Sequence, residues 1–348
     1  SKWFSVGGYF AYGFRDQEWK WGGHTKFIMQ KERDIHLRIS YQEDVFERGG
    51  VDFLRDNFSL SDRSLYRQFF INQMDWEKRT AAQLSGLITP NMKVTLLGQH
   101  RTITAFDDYQ YQITPLGFPG WSFLTNTFEV FETGVIWNWN IREKVMLLGN
   151  QRVSLGSKFP SIKMRAVRGW DGLLDGEFDY YRFNIAIDQR FSFRAAGNLR
   201  LHANAGLTFG DVPITLMQMP FGTNRNWNLS VLHSFETMVA GSFYADRHAA
   251  LFARYTFLPI KNKTSWTEPL FGIHLGAGIG EMDNPQRHVN LDFNTHNQGY
   301  YEGGLIVDNL IKFGFNGFGL GVFHAFGAYM PENFGEGFVY KLSLKFNF

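Results

Sequence analysis

The sequence predicts one all-β domain over residues 1–348, a transmembrane antiparallel β-barrel with about fourteen visible strands. Three observations carry this. Apolar and polar residues alternate over segments of roughly 10–15 residues, whereas strands of soluble proteins typically have about five or six. No apolar run approaches the roughly 18 residues of a helical span. The chain closes on "FVYKLSLKFNF", with Phe338, Tyr340, Leu342, Leu344, Phe346 and Phe348 on one face and Val339, Lys341, Ser343, Lys345 and Asn347 on the other. An amphipathic strand therefore runs to the last residue.

The dyad places strands, in order, at 3–14, 18–29, 34–43, 77–88, 91–104, 126–140, 143–153, 177–191, 197–209, 240–257, 269–280, 298–310, 317–328 and 337–348. A second candidate in the same region is 159–169, "FPSIKMRAVRG". In "DIHLRISYQ", Ile35, Leu37 and Ile39 oppose His36, Arg38 and Ser40. In "YRFNIAIDQRF", Tyr181, Phe183, Ile185 and Ile187 oppose Arg182, Asn184 and Asp188. In "NLRLHANAGLTF", Leu199, Leu201 and Ala203 oppose Arg200, His202 and Asn204. In "LFGIHLGAGI", Phe271, Ile273 and Leu275 oppose Gly272, His274 and Gly276. One face suits lipid and the other a polar lumen. The even count suits a barrel. With the last strand running toward the periplasm, 44–76, 105–125, 154–176 and 210–239 fall outside. The turns at 89–92, 141–143 and 194–198 fall inside. Trp19, Trp21, Trp137, Trp139 and the tyrosines at 111, 180, 181, 300, 301 and 329 sit near strand ends, as interfacial girdles do.

Composition narrows the function. The net charge is +2 and basic residues are scattered, so nucleic acid is not an expected partner. Without cysteine there is no disulfide framework, thiolate zinc site or cysteine nucleophile. The first residues, "SKWFSVGGYF", read as strand and not as a signal peptide, which suggests a mature chain or a fragment. No catalytic, cofactor or metal site is predicted. His202 and His274 fall on lumen faces with no serine placed beside them. "HSFETM" (233–238) and "DRH" (246–248) lack a nucleophile elbow. Asp283, His288, Asp292 and His296 read as a solvated extracellular loop rather than a metal site. "GAGIGE" reads as a strand with small lumen-facing residues.

Several segments carry a resemblance: "GGYFAYGFRDQEWKWGG", "SLGSKFPSIKM", "FDYYRF", "GDVPITLMQMP" and "SFYADRHAALFARYTF". They resemble a Bacteroidota outer-membrane family of unknown function, in which a periplasmic carboxypeptidase-regulatory-like domain precedes a carboxy-terminal barrel. That barrel is similar to those of the BamA/TamA superfamily. The resemblance implies sixteen strands, hence a first hairpin before Ser1. It implies an inward-folded loop signature, which Val167, Arg168, Gly169 and Trp170 ("VRGW") resemble. The signature would normally precede the fifth strand from the end. Here it precedes the seventh, and 210–239 occupies the expected place. Gly335 and Gly337 in "NFGEGF" either only make the last external turn or loosen the terminal strand into a seam, with Phe348 at its end, which resembles what the superfamily does.

The expected function is protein assembly or translocation at the outer membrane of a Gram-negative, Bacteroidota-like bacterium, or service as the barrel subunit of an envelope complex. The implied partners are outer-membrane lipid and lipopolysaccharide, other envelope proteins and client barrels. A passive pore for small solutes is the alternative, and a barrel enzyme a more distant one. A lumen occupied by a loop would favour assembly over a pore.

Overall fold

The computed structural model describes residues 3–14, 16–49, 53, 74–113, 122–148, 151–154, 156–231, 233–260, 266–313 and 316–346. Fourteen long strands form one antiparallel meander. They are β1 (Phe4–Tyr12), β2 (Trp19–Gln30), β3 (Ile35–Glu47), β4 (Met74–Thr89), β5 (Met92–Thr104), β6 (Thr127–Asn140) and β7 (Ser161–Gly169). The second half is β8 (Tyr180–Phe193), β9 (Gly197–Phe209), β10 (Arg247–Phe257), β11 (Leu270–Glu281), β12 (Tyr300–Phe313), β13 (Asn316–Phe326) and β14 (Phe338–Phe346). Each pairs with its neighbour in sequence.

The dyad sorts the faces as the sequence predicts. Leu251, Leu275 and Leu305 point outward and are more than half exposed. Arg182, His202, His274 and Lys341 point inward and are buried. This is the membrane-barrel arrangement, greasy outside and polar within. The inner space is packed. One apolar cluster, including Tyr109, Phe128, Tyr180, Ile214 and Tyr244, fills the end bearing the long loops. A second gathers Phe235, Met238, Phe243, Phe252 and Tyr300.

Several expectations need correction, among them the external placing of 210–239, which folds into the lumen. Residues 143–153 do not supply a barrel strand. They form a separate hairpin, Val145–Leu148 with Gln151–Ser154. Four consecutive apolar residues, Val145 to Leu148, cannot offer one polar and one apolar face. The seventh strand is Ser161–Gly169, within the second candidate segment. Its Ile162 and Met164 lie in register with Trp139 and Trp137 on one side, and with Ile187 and Ile185 on the other, so the outer apolar rows continue. The segment 154–176 is therefore split between the two ends of the barrel.

The strand expected at 240–257 begins only at Arg247, because the residues before it fold into the lumen. Tyr111, Tyr180 and Tyr300 are not girdle residues. They are buried inside, where their hydroxyls reach polar partners, while Trp19, Trp21, Trp139, Tyr181 and Tyr301 stay exposed outside.

Among the described residues β1 has β2 as its one sheet partner, and β14 has β13 on one side. The other edge of β14 carries a two-residue segment, Asn228–Leu229, from the chain between β9 and β10.

The facing of the strands makes a depth-dependent prediction. Leu251→Arg, at the middle of β10, should cost about 2–4 kcal/mol of folding free energy in lipid, and Phe271→Arg, at the end of β11, about 0–1 kcal/mol. Folding titrations in vesicles, read by heat-modifiable gel mobility, test this. Equal costs at the two sites would contradict the assignment.

Candidate functional site: the occupied lumen and the edge of the last strand

The chain between β9 and β10, residues 210–246, turns into the lumen. It first binds itself. Gln218 N donates to Ala245 O at 2.9 Å and Ala245 N to Gln218 O at 3.0 Å. Further in, Thr223 N donates to Phe235 O at 2.9 Å and Asn224 N to Met238 O at 2.8 Å. A buried loop must satisfy its backbone in this way or through the wall.

The wall supplies the rest. Glu302 on β12 accepts from Glu236 N and Thr237 N, both at 2.9 Å, from Thr237 Oγ1 at 2.7 Å, and pairs with His274 Nε2 at 2.9 Å. One buried carboxylate thus takes both backbone donors at the loop's turning point. Glu236 is itself buried and accepts from Ser230 Oγ at 2.6 Å, Val231 N at 3.0 Å and Thr223 Oγ1 at 3.1 Å. Lys341 on β14 reaches Glu236 at 3.7 Å and donates to Thr223 O. Nearer the loop end, Arg182 pairs with Glu132 at 2.8 Å and donates to Leu216 O at 3.3 Å, while Asn184 donates to Gln218 Oε1 at 2.7 Å. Buried charges persist only when paired and bonded, so these contacts fix the loop's register on the wall.

Glycines make the room. A Cβ on Gly278 would lie 2.7 Å from Phe235 Cζ, so the small residues of "GAGIGE" accommodate the loop's aromatic anchor.

The loop then reaches the edge of β14. Trp227 N donates to Tyr340 O and Ser230 N to Leu342 O, each at 2.7 Å. Tyr340 N donates to Asn226 Oδ1 at 2.9 Å. Asn228 and Leu229 run parallel to Lys341 and Leu342. Trp227 adopts φ +66°, a left-handed conformation costly for a bulky residue. That turn carries its indole to the outer side, where it stacks on outward-facing Tyr340 with ring centroids 6.0 Å apart.

The residues singled out from sequence lie as follows. Val167, Arg168 and Gly169 end β7 and Trp170 follows it. Val167 is buried inside. Arg168 packs over the Trp170 ring at 3.9 Å and lies 3.7 Å from Asp179, so this stretch belongs to the wall and its rim. Gly335 and Gly337 belong to a 3-10 turn, Phe334–Gly337, that leads into β14. A Cβ on Gly337 would lie 2.6 Å from His324 Nε2, whereas Gly335 faces open space. Phe348 lies outside the described residues. His202 and His274 are both on the lumen face and buried, as their dyad positions imply.

Asp283, His288, Asp292 and His296 are not gathered into one site, and the two histidines are buried rather than solvated. Burial and the neighbouring Arg287 push His288 down to about 4, and burial pushes His296 down to about 4. Tyr109 OH accepts from Ile214 N at 3.1 Å and lies 2.8 Å from His288 Nδ1, an arrangement that suits a neutral imidazole.

Sequence reasoning missed the pairing of Glu302 with the "FET" of the loop. The available signal was a lone carboxylate on an inner face, in "YYEGGL", beside glycine-rich inner faces that leave room for something to enter.

The chain belongs to a family of unknown function, DUF5686, whose C-terminal domain matches residues 1–225. No curated protein matches it. Among solved structures it is similar to CdiB from Acinetobacter baumannii, at 10% identity and a TM-score of 0.47, with 94% of this chain and 49% of that chain covered. It is also similar to BamA from Haemophilus ducreyi lacking POTRA domains 1-3, at 10% identity and a TM-score of 0.49, with 97% and 68% covered. The chain thus spans about half the length of the CdiB chain.

Two predictions follow from the anchoring. Glu302→Ala should weaken the loop's hold by about 3–5 kcal/mol, the usual cost of removing one partner from a buried charged network. Hydrogen exchange at the amides of Glu236 and Thr237 reads this directly, and unchanged protection would refute the anchor. The second concerns pH. His288 and His296 have folded values near 4, below the ordinary value of about 6.5. The folded state therefore binds fewer protons than the released one between these values. Packing of residues 282–299 should be complete above pH 6.5 and be lost as pH falls toward 4. Protease susceptibility of that segment, measured from pH 7.5 to 4.5, should rise on acidification.

Proposed function

We propose that this chain is the barrel of an outer-membrane assembly or translocation machine of a Gram-negative, Bacteroidota-like bacterium. The edge of β14 is its working surface. The carrying observation is that this edge is hydrogen-bonded by the chain's own segment Trp227–Ser230. An edge that accepts one extended segment can accept another by β-augmentation. Exchange of the internal segment for an incoming strand would keep the edge satisfied throughout, so insertion proceeds without exposing bare amides to lipid. The work is strand exchange, and no bond is made or broken.

The occupied lumen supports the same reading. A passive solute pore needs an open path, whereas residues 210–246 and the clusters they join pack the interior. The resemblance seen in the sequence motifs points the same way. On this reading the end bearing the long loops faces the cell exterior while residues 210–246 fold back into the lumen, the outer strand faces meet lipid and lipopolysaccharide, and the partners are client barrels or other envelope proteins.

The test is a reversible lock. Leu229 and Leu342 are register partners, and adjacent strands lie ~4.8 Å apart, within disulfide reach. The chain has no native cysteine, so Leu229→Cys with Leu342→Cys forms one defined bond. In cells that need the protein, the oxidised lock should lower the levels of newly assembled outer-membrane proteins, and reductant should restore them. Unchanged levels under oxidation would overturn the strand-exchange reading. High, steady conductance of the wild type in planar bilayers would favour the pore instead.

A further inference from the structure

A second constellation lies apart from the anchor and the edge, where the lumen loop touches the wall between β8 and β9. Asp188 on β8 and His202 on β9 are register partners, so the dyad brings a carboxylate and an imidazole together on the inner face. His233 arrives from the loop, on a left-handed backbone with φ +62°. Asp188 Oδ2 lies 3.1 Å from His202 Nδ1, and Asp188 Oδ1 lies 3.2 Å from His233 Nε2. The three donor atoms are all within 4.8 Å of one another. Ligand atoms around a tetrahedral ion with bonds of about 2.1 Å stand about 3.4 Å apart.

Contact with the one carboxylate does not satisfy all of these ring nitrogens. His202 is 2% exposed. The carboxylate lies within hydrogen-bond distance of one nitrogen of each ring, which leaves the buried His202 Nε2 with no partner among the described residues. A buried polar atom without a partner is costly, so the convergence of two such rings on one carboxylate needs a reason.

We propose that Asp188, His202 and His233 form a binding site for a first-row divalent transition metal of the zinc class, which pins the lumen loop to the barrel wall. Two imidazoles and one carboxylate suit zinc and its neighbours, whereas calcium and magnesium take all-oxygen sets. The two rings stack with centroids 3.8 Å apart and planes 9° apart. An ion in the plane of both therefore requires each ring to turn about its Cβ–Cγ bond, a broad torsion. Arg200, whose guanidinium lies 3.4 Å from Asp188 Oδ1, is 43% exposed and free to swing to water when the ion takes the carboxylate. Asp188 is itself partly exposed, which gives the ion its entry and leaves a coordination position for water.

The test uses tag-free barrel folded in detergent, stripped with chelator, given zinc and desalted. Elemental analysis should find one retained equivalent in the wild type and none in His202→Ala or His233→Ala. His296→Ala, outside the site, should retain it. Cobalt in place of zinc should give a visible d–d absorption that the same two variants lose. Zinc should also slow proteolysis within residues 220–240 of the wild type and leave His233→Ala unaffected. Heat-modifiable mobility identifies variants that are folded, and His202→Asn and His233→Asn replace any alanine variant that is not. No retained zinc, or equal retention in wild type and folded variants, would overturn the site. Retention without any change in loop proteolysis would overturn its pinning role.

Discussion

A hydrocarbon layer offers no hydrogen-bond partner, and each unsatisfied backbone group within it costs several kcal/mol. Fourteen strands answer this by pairing with their neighbours, which satisfies every edge except the outermost two. The architecture turns on how the last of these is treated. The edge of β14 is bonded by Trp227, Asn228, Leu229 and Ser230, a segment that reaches it from inside. The loop's path through the lumen is what brings that segment to the edge. The strain at Trp227 is what turns it outward, with Tyr340 as the surface that receives the indole.

The same constraint governs the lumen by another route. A loop taken inside must bond its amides to something, and dyad strands present whatever their polar face carries. Glu302 presents one carboxylate to two consecutive amides and a hydroxyl. His274 lies beside it, and the cations Lys341 and Arg254 both reach neighbouring Glu236. Arg182, Glu132, Arg101 and Glu77 form a second set of paired charges nearer the loop end. These networks are buried on β5, β6, β8, β11, β12 and β14 alike, so the loop ties distant parts of the wall together. Hydrophobic packing alone has no such register, because apolar contacts are non-directional.

The period of two was the legible part of this fold. It identifies the two faces of Leu199 to Phe209, of Phe271 to Ile279 and of Tyr340 to Leu344 from the alternation alone. It failed at 143–153, where Val145 to Leu148 are apolar without alternating and only pairing could show that they form a separate hairpin. The tyrosines failed for a related reason. Tyr111, Tyr180 and Tyr300 occupy sequence positions that suit either a girdle or an inner aromatic core, and the side they face depends on what fills the lumen. The functional geometry was less legible still. Glu302 and Glu236 are 66 residues apart, Lys341 and Thr223 are 118 apart, and neither spacing is a motif. The left-handed turns at Trp227 and His233 lack the glycine that usually announces them.

The size of the edge contact bears on its use. The segment offers β14 two register pairs, where a full neighbour such as β13 offers nine. Each backbone bond contributes roughly 0.5–1.5 kcal/mol net in water and more where water is excluded. Two or three such bonds are enough to occupy an edge and few enough to be exchanged for a longer strand at a net gain. The Glu302 anchor holds Glu236 and Thr237, and Glu236 in turn accepts from Ser230 Oγ and Val231 N, so the edge segment is coupled to the anchor through those two bonds. On the proposed strand-exchange reading, the loop gives up the edge only as the bonds from Ser230 and Val231 to Glu236 open, while Glu302 keeps Glu236 and Thr237 in the lumen.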